Sequence, residues 1–289
     1  MIEVTNILSL GATLGEGPMW SPAENALWFV DIKQHRLHRF DPDTGALRTW
    51  TAPAQPGWVL PAEGGGLAVG LQTGLHRFDP RDGGFAFVAD PEAHLPANRL
   101  NDATVDPSGA LWFGTMHDRE GAPSGRFYRH RDGVTADCGI APVTITNGPA
   151  VSPDGAILYH VDTLGRAIWA SAINDDGSLA PARPFATIED GAGHPDGPTV
   201  DAEGHVWVGL FGGWGVRRYA PDGRLAATVA LPVANITKIA FGGDGLRTAF
   251  ATTARLGLGP AALAAQPMAG DLFAFQPGVA GLPVPAARL

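Results

Sequence analysis

A single cysteine, Cys138, serves a chain of 289 residues, which excludes an internal disulfide and any zinc cluster built on several thiolates. No His-paired nucleophile motif surrounds it, so it reads as a small buried hydrophobe. Lysine occurs only at Lys33 and Lys238, and 20 Lys+Arg against 29 Asp+Glu leave a formal charge of −9. That balance offers no electrostatic footprint for nucleic acid or an anionic membrane surface. No apolar run approaches the ~20 residues that a membrane-spanning helix needs. The opening MIEVTNILSLG has no cationic segment, and Thr5, Asn6 and Ser9 interrupt its apolar run, so it is not read as a signal peptide. A soluble, cytoplasmic protein is expected. With 39 glycines and 25 prolines, an all-helical fold is disfavoured as well.

What the chain does have is a repeat. Ala26-Leu27-Trp28-Phe29-Val30-Asp31 is followed by Arg36-Leu37-His38-Arg39-Phe40, and the same pair of runs returns around residues 67–78, 110–129, 156–170 and 205–219. A weaker sixth copy covers 247–251 and 270–275. Each run is short, rich in aromatic and β-branched residues, and bounded by turns such as Pro153-Asp154-Gly155. Equivalent first-strand entrances fall near residues 16, 57, 101, 147, 196 and 237, at spacings of 41, 44, 46, 49 and 41. Four strands in ~40–50 residues is the arithmetic of a propeller blade. The fold predicted is all-β, a six-bladed β-propeller forming one domain over residues 1–289. Ile2–Leu8 is expected to add a strand to the last blade, and Pro260 and Pro267 confine a helix-compatible stretch at 261–265 to a loop insert.

In a propeller the first strands line the axis, so their entrances converge. Four of the six equivalent positions carry a carboxylate or a carboxamide: Glu16, Asn101, Asn147 and Asp196. Two carboxylates converging on one axis repel and raise each other's pKa unless a cation sits between them. A divalent cation balances that charge, and amide oxygens complete its shell. All-oxygen ligation favours Ca²⁺, Mg²⁺ or Mn²⁺, while Fe²⁺ and Zn²⁺ also accept carboxylates. The bland account is that Asn and Asp favour strand-entry turns anyway, and that the Gly-Pro pairs after Glu16, Asn147 and Asp196 merely fix those turns.

The remaining residues divide between chemistry and packing. Arg99, two residues before Asn101, meets a polar substrate or pairs with an acid, and Asp102 is either a substrate contact or a turn-stabilising carboxylate. His117 and His194 flank the expected mouth. His35 and His38 lie on a hairpin, and the tryptophans, which include Trp28, Trp112, Trp169 and Trp207, repeat at one strand position as packing. Gly212-Gly213-Trp214-Gly215 is followed by no helix and reads as a hairpin turn, not a phosphate cradle.

The ordered motifs G-E-G-P-x-W at 15–20, N-D-x-x-x-D-P-x-G-x-L-W-F-G-T-M at 101–116, N-G-x-x-x-S-P-D-G at 147–155, P-D-G at 195–197 and F-G-G-x-x-L at 241–246 resemble the regucalcin (senescence marker protein)/gluconolactonase family across essentially the full chain. The wording is most similar to its bacterial sugar-lactonase branch. The resemblance implies one divalent cation (Ca, Mn, Zn or Fe(II)) held by Glu16, Asn147 and Asp196, with Asp196 also the catalytic base. Substrate contacts are expected from Arg99, Asn101, Asp102 and His117, on a xylono- or gluconolactone. Two departures stand out. His117-Asp118-Arg119 replaces acidic residues that often touch substrate, and Lys238 replaces a small or sulfur-containing residue. The alternatives are a hydrolase of other lactones or esters, which wants an apolar rim, and a non-catalytic cation-binding scaffold. Oligomeric state is not legible.

Overall fold

The computed structural model describes residues 2–289. The repeated runs become antiparallel strands because each is short, rich in aromatic and β-branched side chains buried between neighbouring sheets, and bounded by tight turns. Gly15–Ser21, Ala26–Asp31, Arg36–Phe40 and Leu47–Thr51 form a four-stranded meander, and residues 56–89, 98–137 and 146–187 each form another. The remaining eight strands are one continuous sheet. Its two halves, however, meet through the parallel pairing of a single residue pair, Gly197 with Lys238. One half runs from His194 to Ala230. The other combines Ile236–Gly242, Thr248–Thr253 and Leu272–Phe275 with the N-terminal strand Val4–Leu8, which pairs antiparallel with Leu272–Phe275. The strand expected from the N-terminal segment is therefore present, and it lies where it was expected.

The first strands of these groups are Gly15–Ser21, Pro56–Pro61, Asn98–Val105, Thr146–Val151, His194–Val200 and Ile236–Gly242. Each packs against the next, and Ile236–Gly242 packs back against Gly15–Ser21. The architecture is thus all-β, several curled sheets around a common axis, consistent with a propeller. Indole rings fill the spaces between sheets: Trp28, Trp58, Trp112 and Trp207 are fully buried. Trp112 and Trp207 each donate Nε1–H to an aspartate six residues earlier, Asp106 and Asp201, at 2.8 Å. The same repeat thus supplies both an apolar wedge and the acceptor that satisfies its one polar atom. Trp169 departs from this pattern and is only half-buried. The short helix Pro260–Ala265 sits in the loop before Leu272–Phe275, with Pro260 at its first turn.

Candidate functional site

All six inner strands depart from regular pairing at the same height. The register with the second strand shifts between Glu16 and Met19, Pro56 and Trp58, Leu100 and Ala103, Asn147 and Ala150, Pro195 and Pro198, and Ile236 and Lys238. An extra residue at each point bends the strand and re-aims its side chains. Glycine makes two of these bulges possible. Gly17 (φ 53°) and Gly148 (φ 74°) follow Glu16 and Asn147 in the left-handed region, and a Cβ on Gly17 would lie 2.7 Å from the Trp58 Cα.

The bulges bring Glu16, Arg99, Asn101, Asn147 and Asp196 to one cavity of about 260 Å³, joined there by Thr163, His194 and Glu120. Apolar side chains, among them Leu14, Ile32, Met116, Ile145 and Phe211, complete the wall. Asn147 donates Nδ2–H to Thr163 Oγ1 at 2.9 Å, which fixes the amide with Oδ1 as its acceptor atom. Asn101 donates Nδ2–H to the Thr146 carbonyl at 2.6 Å and, at 3.3 Å, to Asn147 Oδ1. Its own Oδ1 accepts from the Arg99 Nη1 at 2.6 Å, while Arg99 Nε donates to Asp118 Oδ1 at 3.0 Å. Asp118 in turn accepts from Lys33 Nζ at 2.6 Å. Burial pushes the Asp118 carboxyl upward, but the hydrogen bonds from Lys33 and Gln55 and the charges of Arg99 and Lys33 outweigh it and hold the group below the usual range.

Glu16 Oε2 accepts only from the Gly17 N–H (2.7 Å), and Asp196 Oδ1 only from the Gly197 N–H (3.0 Å). Among the described residues no protein donor reaches the other oxygen of either carboxylate. Burial first, and then the charge of Asp102, push Glu16 up to about 8. Burial, Glu16 and Asp102 likewise raise Asp196 well above the usual carboxylate range. Two buried carboxylates, each with an unpartnered oxygen, beside an amide oxygen that carries one long hydrogen bond from Asn101, make a donor set that fits a hard divalent cation. Among the described residues no group of three His, Cys, Asp or Glu side chains is arranged to hold a metal ion, so such an ion would rest on two carboxylates and amide oxygen.

Two expected site residues are not brought to this cavity. Asp102 points away from it, because the bulge between Leu100 and Ala103 sends Asn101 and Asp102 to opposite sides. It lines a second cavity farther along the same strands and binds Lys238 Nζ at 2.5 Å and the Gly148 N–H at 2.9 Å. His117 is held in its own loop, where Nδ1 accepts from the N–H groups of Arg119 (3.2 Å) and Gly121 (3.3 Å). That loop delivers Glu120, a residue the sequence did not single out, to the cavity wall. Asp118 of the same loop holds Arg99, and Glu120 follows two residues later at a left-handed position (φ 55°). Cys138 is half-buried, and burial pushes its thiol up to about 12, which suits packing and not nucleophilic chemistry. His38 is buried against Phe29, and Gly212–Gly215 is the expected hairpin turn.

Comparison with known proteins adds a family. The chain is 39% identical to L-arabinolactonase of Azospirillum brasilense over 285 residues, 97% of this chain and 94% of that protein. It is 34% identical to 6-deoxy-6-sulfogluconolactonase of Pseudomonas putida, over 95% and 94%. The crystal structure of the calcium-binding protein regucalcin from Agrobacterium tumefaciens superimposes with a TM-score of 0.95 at 29% identity, covering 100% of this chain and 98% of that one. Residues 14–255, which hold all six inner strands and every polar residue of the cavity, match the SMP-30/gluconolactonase/LRE-like region. The bulged ring of Glu16, Asn147 and Asp196 is therefore the centre of a member of the SMP-30/gluconolactonase family.

Proposed function

We propose that this chain is a sugar lactonase, one cytoplasmic six-bladed propeller domain over residues 1–289, which opens an aldono-lactone to the free acid with the help of one axial divalent cation. The lactonase names of its relatives and the polar cavity support the reaction. The closed ring of six first strands supports six blades. The observation that carries the assignment is the pair of buried carboxylates, each with an oxygen that no protein donor satisfies.

Glu16, Asn147 and Asp196 would hold the cation, which supplies Lewis-acid polarisation of the lactone carbonyl. Asp196 is the general base: the carboxylate oxygen that it would not commit to the cation takes a proton from water as the water oxygen attacks the carbonyl carbon. The Gly197 N–H holds Oδ1 and so fixes the carboxylate plane. As the bond from the carbonyl carbon to the ring oxygen breaks, the same proton passes to that oxygen, which leaves as the hydroxyl of the open acid. Arg99, locked by Asn101 and Asp118, presents its guanidinium edge to sugar hydroxyls, and Glu120 and His194 offer further partners.

The apolar side chains in the wall favour a second reading, an acyl lactone as substrate. A lactone panel assayed by acid release, run on chelator-stripped and metal-restored protein, separates them. Turnover of pentono- or hexono-lactones, abolished by stripping and restored by one divalent ion, is expected. Full activity in the stripped protein overturns the metal-dependent mechanism, and faster opening of acyl-homoserine lactones overturns the sugar assignment.

A further inference from the structure

Lys238 stands at the bulge of the sixth inner strand, and its side chain crosses the axis to the third. The stem passes directly over Gly197: a Cβ there would lie 2.7–2.8 Å from the Lys238 Cβ, Cγ and Cδ. Its ammonium reaches Asp102 Oδ1 at 2.5 Å, and both side chains are buried. Asp102 also accepts from the N–H of Gly148, at 2.9 Å, and of Ala103, at 2.7 Å. The pair therefore touches the residue after Asp196 and the residue after Asn147. It lines the cavity beyond the axial carboxylates, not the one in which they face Arg99.

Three carboxylates thus converge on the axis, and only two of them face the cation cavity. We infer that the Lys238–Asp102 ion pair sets the cation affinity of the Glu16–Asn147–Asp196 site by cancelling the charge of this third carboxylate. The inference rests on the metal reading above and extends it to two residues that need not touch the ion. Low dielectric makes the effect large, because charges buried around one axis are poorly screened from one another.

The two partners therefore act in opposite directions. Lys238→Met leaves an uncompensated negative charge and is expected to tighten binding of Mn²⁺ and Ca²⁺ by about tenfold or more. Asp102→Asn leaves an uncompensated ammonium and is expected to weaken it by about as much. The double variant, neutral at both positions, is expected to return within a few-fold of wild type. Calorimetric titration of chelator-stripped protein reads these constants without an activity assay, and thermal melts identify the folded variants. Lys238→Gln, which keeps a donor, replaces Lys238→Met if the latter unfolds. A mere structural brace weakens binding in both single variants, so shifts of the same sign overturn the inference while leaving the metal site intact. Absence of divalent binding in the wild type overturns the metal reading itself and the inference with it.

Discussion

At the scale of single residues, the chemistry turns on how few partners Asp196 has. Its Oδ1 is engaged by one backbone N–H and its Oδ2 by none, so the carboxylate is oriented yet still able to accept a proton. Asparagine keeps the shape and an oxygen donor but cannot accept a proton from water. Asp196→Asn should therefore lose about 10²–10⁴ in kcat, the range of general-base assistance, even at metal concentrations that restore occupancy. Turnover and bound metal are to be measured on the same sample, since near-wild-type turnover at full occupancy would rule out the base. Arg99 shows the opposite economy of contacts. Its Nε and Nη1 are committed to Asp118 and Asn101, so it is rigid before any substrate arrives. That rigidity depends on Lys33 and Gln55, which hold Asp118 from outside the cavity wall.

At the scale of elements, the bulge is the device that turns a strand into a ligand arm. Gly17 is doubly constrained, with φ at 53° and the Trp58 backbone in the space a side chain would need. Gly17→Ala should cost about 1–3 kcal/mol in denaturant unfolding, through left-handed strain and displacement of the neighbouring strand. It should also weaken divalent binding, because Glu16 moves with the bulge. An unchanged unfolding midpoint would show that the turn relaxes freely. The bulges also mark the boundary of what the sequence made legible. Repeat alignment puts Glu16, Asn101, Asn147 and Asp196 at one height because a period of 41 to 49 residues survives any local irregularity. It cannot tell Asn101 from Asp102, since a one-residue bulge decides which of two neighbours faces which cavity. Glu120 was invisible for a different reason: only the backbone bonds to His117 fold its loop inward. Lys238 was legible as a departure, but its partner lies 136 residues away in sequence, and no local pattern encodes that reach.

For the whole molecule, closure joins Val4–Leu8 to Leu272–Phe275, so the first and last strands share one sheet and the ring has no seam made of loops. Buried polar groups inside that ring then couple to global stability. His160 is 4% exposed, packs on Phe127 at a ring separation of 5.1 Å, and has no partner for Nε2 among the described residues. Burial lowers its pKa to about 4, whereas an unfolded chain holds histidine near 6.5. Between those values the unfolded state binds the extra proton, so stability conferred by the neutral imidazole is present above pH 6.5 and is lost as pH falls toward 4. From pH 6.5 to 5 the loss amounts to roughly 2 kcal/mol at 1.36 kcal/mol per unit. His38, lowered to about 4 mainly by burial, adds a similar slope, and the axial carboxylates, raised in the fold, add one of opposite sign. A difference measurement removes both. His160→Leu keeps the side-chain volume and deletes only the titration, so wild type should lose roughly 2 kcal/mol relative to the variant over that window, with the two close together at pH 7.5. Denaturant unfolding at pH 5, 6 and 7.5 reads the gap. A gap that does not change with pH would mean that His160 is protonated as readily in the folded ring as in the open chain.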